Sequence, residues 1–162
     1  DDAETVHSER EARESDATRL NWVCDSMDDA GPAVRRVALD YVDRVGYPVQ
    51  VIADEVQRVA SSELDSGHWF KQMLHEDRSD GLKLCAGTQD PTDLQPNYSA
   101  LKQAPYFVFV GIPSPFHRGF ADYFSLPKGE MPAEAYEYVV FAKTEPFKWG
   151  VAYRGETSEV YG

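Results

Sequence analysis

Apolar residues follow a helical rhythm through the first half of this chain and a strand-like one in its last third. Val34, Val37, Ala38, Tyr41, Val42 and Val45 fall at i, i+3, i+4, i+7, i+8 and i+11. This predicts an amphipathic helix that opens at Pro32 and ends at Gly46 in a left-handed cap. Upstream, residues 1–19 interleave acids with Arg10, Arg13 and Arg19 and carry almost no apolar face. They read as a polar, helix-permissive arm supported by i, i+3 and i, i+4 ion pairs. Leu20, Val23 and Met27 then mark a short helix that the 28–32 stretch interrupts. Pro48 is read as the start of a third helix, with Val49, Ile52, Ala53, Val56, Val59 and Ala60 on one stripe. A fourth is predicted over 66–75, with Trp69, Phe70, Met73 and Leu74 on one side.

The periodicity stops between 78 and 104, where Gly, Pro, Asp and Asn dominate. That stretch reads as a long loop holding a short strand at 82–85 and a turn of helix after Ser99; loops of this length in compact domains are usually functional, ordered by a partner or disordered. Beyond it, 106–112 is apolar on both faces, 116–126 gives a second strand and 136–143 a third. In a fourth, Phe147, Trp149, Val151 and Tyr153 alternate with Lys148, Gly150, Ala152 and Arg154. The predicted fold is therefore α+β: three or four N-terminal helices packed on a C-terminal four-stranded antiparallel sheet. The expected organisation is an arm over 1–19 and one domain over 20–162. Within that domain a helical layer spans 20–77, a loop 78–104 and a sheet 105–162.

Composition sharpens the contrast between the two ends. Residues 104–162 carry 14 of the 20 aromatic side chains, and no lysine precedes Lys71. With 42% hydrophobic and 27% charged residues the chain has the make-up of a globular protein. Its longest apolar run, 106–112, is far short of the roughly 20 residues that cross a bilayer. A soluble chain is expected. The formal charge of −12 repels phosphate backbones and anionic headgroups, so no nucleic-acid partner is expected either.

Candidate chemistry is sparse. His68 and His75 share a helix face but stand about 10 Å apart along it, too far to ligate one zinc, and no i, i+4 histidine pair exists. No C-x-x-C-H run attaches a haem, no G-x-S-x-G turn presents a serine, and no glycine-rich loop cradles phosphates. The oxygen-rich 90–93 segment lacks the spacing of a calcium loop. No metal and no cofactor is expected. Cys24 and Cys85 read as a disulfide, as two buried thiols or as a reactive or ligating thiol. Asn97-Tyr98-Ser99 matches the glycosylation sequon.

Two functional readings follow. The first is a non-enzymatic extracytoplasmic domain that works by protein contact, as an accessory subunit of a larger complex or as a sensor. The acidic start at Asp1, which reads as processed, the polar arm and the 78–104 loop motivate it. Its partner is another protein or a second copy, contacted through Arg10, Arg13, Arg19, Asp90 and Asp93, with membrane association only through that partner. The second is a small-molecule binder or modest enzyme with a pocket between the helices and the aromatic sheet. Tyr106, Tyr136, Tyr138, Trp149 and Tyr153 would line it, and Glu137 or Asp122 would be its polar group.

Overall fold

A computed structural model describes residues 3–146 and 148–157. The chain forms two compact units, Asp1–Thr88 and Gln89–Gly162. Their boundary falls inside the stretch read as a loop.

The first unit is an alternation of strands and helices: β1 (Glu4–Val6), α1 (Glu9–Glu14), β2 (Leu20–Trp22), α2 (Met27–Val45), β3 (Val49–Ala53), α3 (Gln57–Ala60), α4 (Trp69–His75) and β4 (Leu82–Ala86). Both strand pairs, β1 with β2 and β3 with β4, are parallel. The expected all-helical front layer is thus corrected to an α/β arrangement. The third predicted helix fails in its first half, because 49–53 is a strand in register with 82–86, pairing Val49 with Leu82 and Ala53 with Ala86. Its apolar stripe was a coincidence of a β-branched run, Val-Gln-Val-Ile, followed by the short helix α3 that buries Val59 and Ala60. Pairing along β4 outweighs the weak local preference.

Residues 3–19 belong to this unit through specific contacts. Ser8 caps α1 by accepting from the Glu11 amide, and the Glu11 carboxylate in turn accepts from the His7 amide at 2.8 Å. Val6 and Ala12 are fully buried with Val37 of α2, flanked by Leu20, Trp22 and Tyr41. Glu9 accepts hydrogen bonds from Arg13 and Arg36, and the Tyr41 hydroxyl donates to the Ala17 carbonyl at 2.8 Å.

Helix α2 begins at Met27 rather than Pro32, with Ser26 as its cap, and it runs straight through the 28–32 stretch. Gly31 serves packing there and not termination. A Cβ at Gly31 would lie 2.0 Å from the Trp69 ring, so the missing side chain is what lets α4 seat its indole on α2. Gly46 ends α2 at φ +70°, as its position predicts. Where α4 gives way to the turn into β4, Asp77 is 1% exposed and receives both Nε and Nη2 of Arg35 at 2.6 Å.

In the second unit a 3₁₀ segment (Pro91–Asn97) leads through α5 (Tyr98–Leu101) to β5 (Tyr106–Val110), α6 (Pro115–Tyr123), a 3₁₀ turn (Lys128–Glu130), β6 (Glu137–Glu145) and β7 (Lys148–Glu156). Its sheet is antiparallel in the order β5-β6-β7, three strands rather than four. The expected second strand is α6. Pro115 occupies its first turn and Ser114 caps it together with His117 Nδ1, while Phe116, Phe120, Tyr123 and Phe124 follow at i, i+4, i+7 and i+8. Phe120 meets Phe107 at 5.1 Å, Tyr98 at 5.3 Å and Phe124 at 4.5 Å between ring centres. With the fully buried Val139 and Phe141 these rings fill the inner face of the sheet.

The alternation predicted for the last strand is also broken. A bulge pairs Val140 with Tyr153 but Phe141 with Val151, skipping one residue of β7. Trp149 therefore stacks inward on Phe107 at 4.7 Å, whereas Tyr153 stacks on Tyr138 at 5.8 Å on the other face. Phe147 lies outside the described residues.

Candidate functional site at the end of a parallel strand pair

In open α/β sheets, ligands gather beyond the carboxyl ends of parallel strands. At that end of β3 and β4 the chain places Asp54 and Glu55 on one side and Gly87 and Thr88 on the other. The turn is tightly determined. The Gly87 amide donates to the Ala53 carbonyl at 2.8 Å, and the Val56 amide donates to the Gly87 carbonyl at 2.9 Å. The Glu55 amide donates to Oδ1 of Asp54, also at 2.8 Å. Held this way, Glu55 adopts φ +51°, a left-handed conformation that a non-glycine residue takes at a cost of order 1 kcal/mol or more. Such local strain collects where a side chain must be aimed.

The aim is outward. Asp54 is exposed, and Glu55 is half-buried with Arg58 on its Oε2 at 2.8 Å. A Cβ at Gly87 would stand 3.3 Å from Asp54 Oδ1, so the glycine keeps that carboxylate uncovered. Among the described residues no three His, Cys, Asp or Glu side chains group as metal ligands. The pair of carboxylates could hold a hard cation only together with water and an outside anion, the habit of magnesium.

The residues picked from sequence do not converge. Tyr106, Tyr136 and Tyr153 are 57–68% exposed on the outer side of the second unit's sheet, and Tyr138 lies over Gly155. Only Trp149 joins the inner face, which is packed rather than hollow. Asp122 pairs with Lys128. The Glu137 carboxyl is held below its usual range, first by the Ala133 amide at 2.6 Å and then by the Arg154 guanidinium, the opposite of a general acid. Arg10 and Arg13 are engaged with Glu14 and Glu9, and Arg19 is exposed. Asp90 caps the 3₁₀ segment through Thr92, whose hydroxyl and amide lower its pKa; Asp93 is exposed. Cys24 and Cys85 are free thiols, Cys85 exposed on β4 opposite Ile52, so neither the bridge nor a buried pair forms.

Acids here stand where open α/β sheets bind ligands. Solved structures share the fold. The chain matches the genome packaging NTPase B204 from Sulfolobus turreted icosahedral virus 2 in complex with AMPPCP at a TM-score of 0.73 and 16% identity, covering 91% of this chain and 71% of that one. The ATP-gammaS complex of the same NTPase matches at 0.74 and 15%, with 91% and 72% coverage. The DNA-packaging ATPase B204 from Sulfolobus turreted icosahedral virus matches at 0.66 and 18%, with 82% and 64% coverage. No protein family and no curated protein sequence matches the chain.

The shared fold corrects the functional expectations. A fold carried by a nucleotide-bound packaging NTPase does not support a non-enzymatic extracytoplasmic accessory or sensor domain, nor an extracytoplasmic location. It equally removes the grounds for expecting no cofactor and no nucleic acid. Net charge does not exclude such a partner, because −12 is a sum over the chain, whereas phosphate contact is local. Among the described residues no helix is long and apolar enough to cross a membrane.

Proposed function

We propose that this chain is part of a nucleoside triphosphatase that acts on nucleic acid, and that Asp54 and Glu55 are its cation-side residues. The observation that carries the reading is the Asp54–Glu55 turn: two adjacent carboxylates on a strained, fully hydrogen-bonded corner at the carboxyl end of a parallel strand. The likeness in fold to a packaging NTPase supports it. The residues fit a magnesium nucleotide in part. Magnesium is commonly held by one or two carboxylates plus phosphate oxygens and water, and when bound it neutralises phosphate charge. Asp54, exposed and kept clear by Gly87, would take the cation, directly or through water. Glu55 would orient a water and accept its proton. The sequence holds no glycine-rich phosphate loop, so in this reading the triphosphate beside Asp54 and Glu55 is held without one.

Paramagnetic broadening tests the assignment on the chain itself. Titration with Mn²⁺ and ATP is expected to broaden the amide signals of Asp54, Glu55 and Gly87 first. Asp54→Asn is expected to raise the Mn²⁺ concentration required at least tenfold. Uniform broadening, or broadening centred elsewhere and indifferent to Asp54, would refute the reading.

A further inference from the structure

Beyond the carboxyl end of β5 the second unit has a recess of about 410 Å³. Ile112 and Pro113 form one wall, Arg118 of α6 another, and Lys128, Met131 and Pro132 the third. Its charge is unlike that of the chain as a whole. The second unit has two arginines, and Arg154 is occupied by Glu137 and Glu130. Among the described residues the Arg118 guanidinium has no hydrogen-bond or ion-pair partner, and the side chain is exposed. Lys128 pairs with Asp122, but the two side chains are 58% and 52% exposed. An exposed pair of that kind contributes little and exchanges readily for a better anion. The neighbouring acids Glu130 and Glu137 share Arg154, which offsets one of their two charges, and neither carboxylate lines the recess. What faces the recess is a free planar fork, a releasable ammonium and an apolar floor.

We propose that this recess binds a nucleotide unit, its phosphate on Arg118 and Lys128 and its base against Ile112, Met131 and Pro132. A guanidinium matches two phosphate oxygens at once, and its weak hydration makes it the cation best suited to that exchange. The volume lies within the roughly 300–1,000 Å³ usual for small-ligand sites. A phosphate of this kind belongs to a free nucleotide or to a single-stranded nucleic acid, and both present the same group to Arg118. The proposal does not depend on Asp54 and Glu55, which act through a cation.

Fluorescence anisotropy in EDTA, which silences cation-mediated binding, separates the two sites. The probes are a fluorescent ATP analogue and a labelled 15-nucleotide oligothymidylate. At least one is expected to bind the wild-type chain. Arg118→Ala and Lys128→Ala are each expected to weaken that binding about tenfold, and Arg118→Glu to abolish it. Lys148→Ala, which removes an exposed lysine outside the recess, is expected to change it less than twofold. For the oligonucleotide, losing Arg118 is expected to lower the slope of log affinity against log salt by about one. Binding of the analogue alone assigns the site to free nucleotide; binding of the oligonucleotide assigns it to a strand. The proposal falls if neither probe binds the wild type, or if Lys148→Ala is as harmful as Arg118→Ala while all variants keep the wild-type circular dichroism.

Discussion

Replacing Asp77 by alanine removes a buried carboxylate that ties α2 to the turn between α4 and β4. Its side chain is 2% exposed and that of Arg35 is 24% exposed, and the fork-to-fork contact is 2.6 Å on both arms. Hydrogen bonds to charged groups contribute about 1.5–3 kcal/mol each, and stripping one partner from a buried ion pair costs about 3–5 kcal/mol. Arg35 retains some access to water, which rehydrates part of the orphaned charge, so the lower end applies, about 3 kcal/mol. At roughly 2–4 °C per kcal/mol for a chain of this size, the melting temperature falls by about 6–12 °C. Asp77 also lends its carbonyl to the amides of Asp80 and Leu82, a backbone role that the substitution leaves intact. The loss is therefore attributable to the carboxylate. The double variant Arg35→Met with Asp77→Leu removes both charges and is expected within about 1 kcal/mol of wild type, because paired burial of charge rarely outperforms apolar packing. Thermal and denaturant unfolding followed by circular dichroism give both numbers. The reasoning is refuted if Asp77→Ala costs under about 1 kcal/mol, or if the double variant loses as much as the single one.

Two further outcomes follow from the first unit. Gly31→Ala places a methyl within 2.0 Å of the Trp69 ring and is expected to cost about 1–3 kcal/mol by overpacking, with a change in near-ultraviolet circular dichroism; an unchanged spectrum and stability would disprove the seating of Trp69 on α2. Glu9 has its pKa lowered from 4.5 to about 2, by Arg36 first and Arg13 second. A depressed carboxyl stabilises the fold above its unfolded pKa, and that contribution is lost as pH falls through the folded value. The difference in melting temperature between wild type and Glu9→Gln is thus expected to be constant above about pH 5 and to close between about pH 4.5 and pH 2. A difference that persists at pH 2 would show that Glu9 acts through something other than its charge.

The sequence by itself determined the elements whose signals are local. The stripe from Val34 to Val45 with Gly46 behind it, the apolar side of α4, and the three strands β5, β6 and β7 needed only their own neighbours along the chain. A left-handed cap or a run of alternating aromatics carries the same meaning wherever it sits. Tertiary structure decided the rest. Val49–Ala53 has residues that satisfy both a helical stripe and a strand, and only hydrogen bonding to Leu82–Ala86 selects the strand. Gly31 reads as a break until the indole that occupies its empty side-chain volume is known. The repeat of Phe116, Phe120 and Phe124 was legible as a helix but hidden because aromatic residues also read as a strand. Asp54 and Glu55 were two acids among twenty-eight. What sets them apart is position at the end of a parallel strand, and the crossover from β3 to β4 brings together residues 33 positions apart, as Val49 and Leu82 are. No local pattern records such a meeting, because the hydrogen bonds that create it belong to both strands and are written in neither.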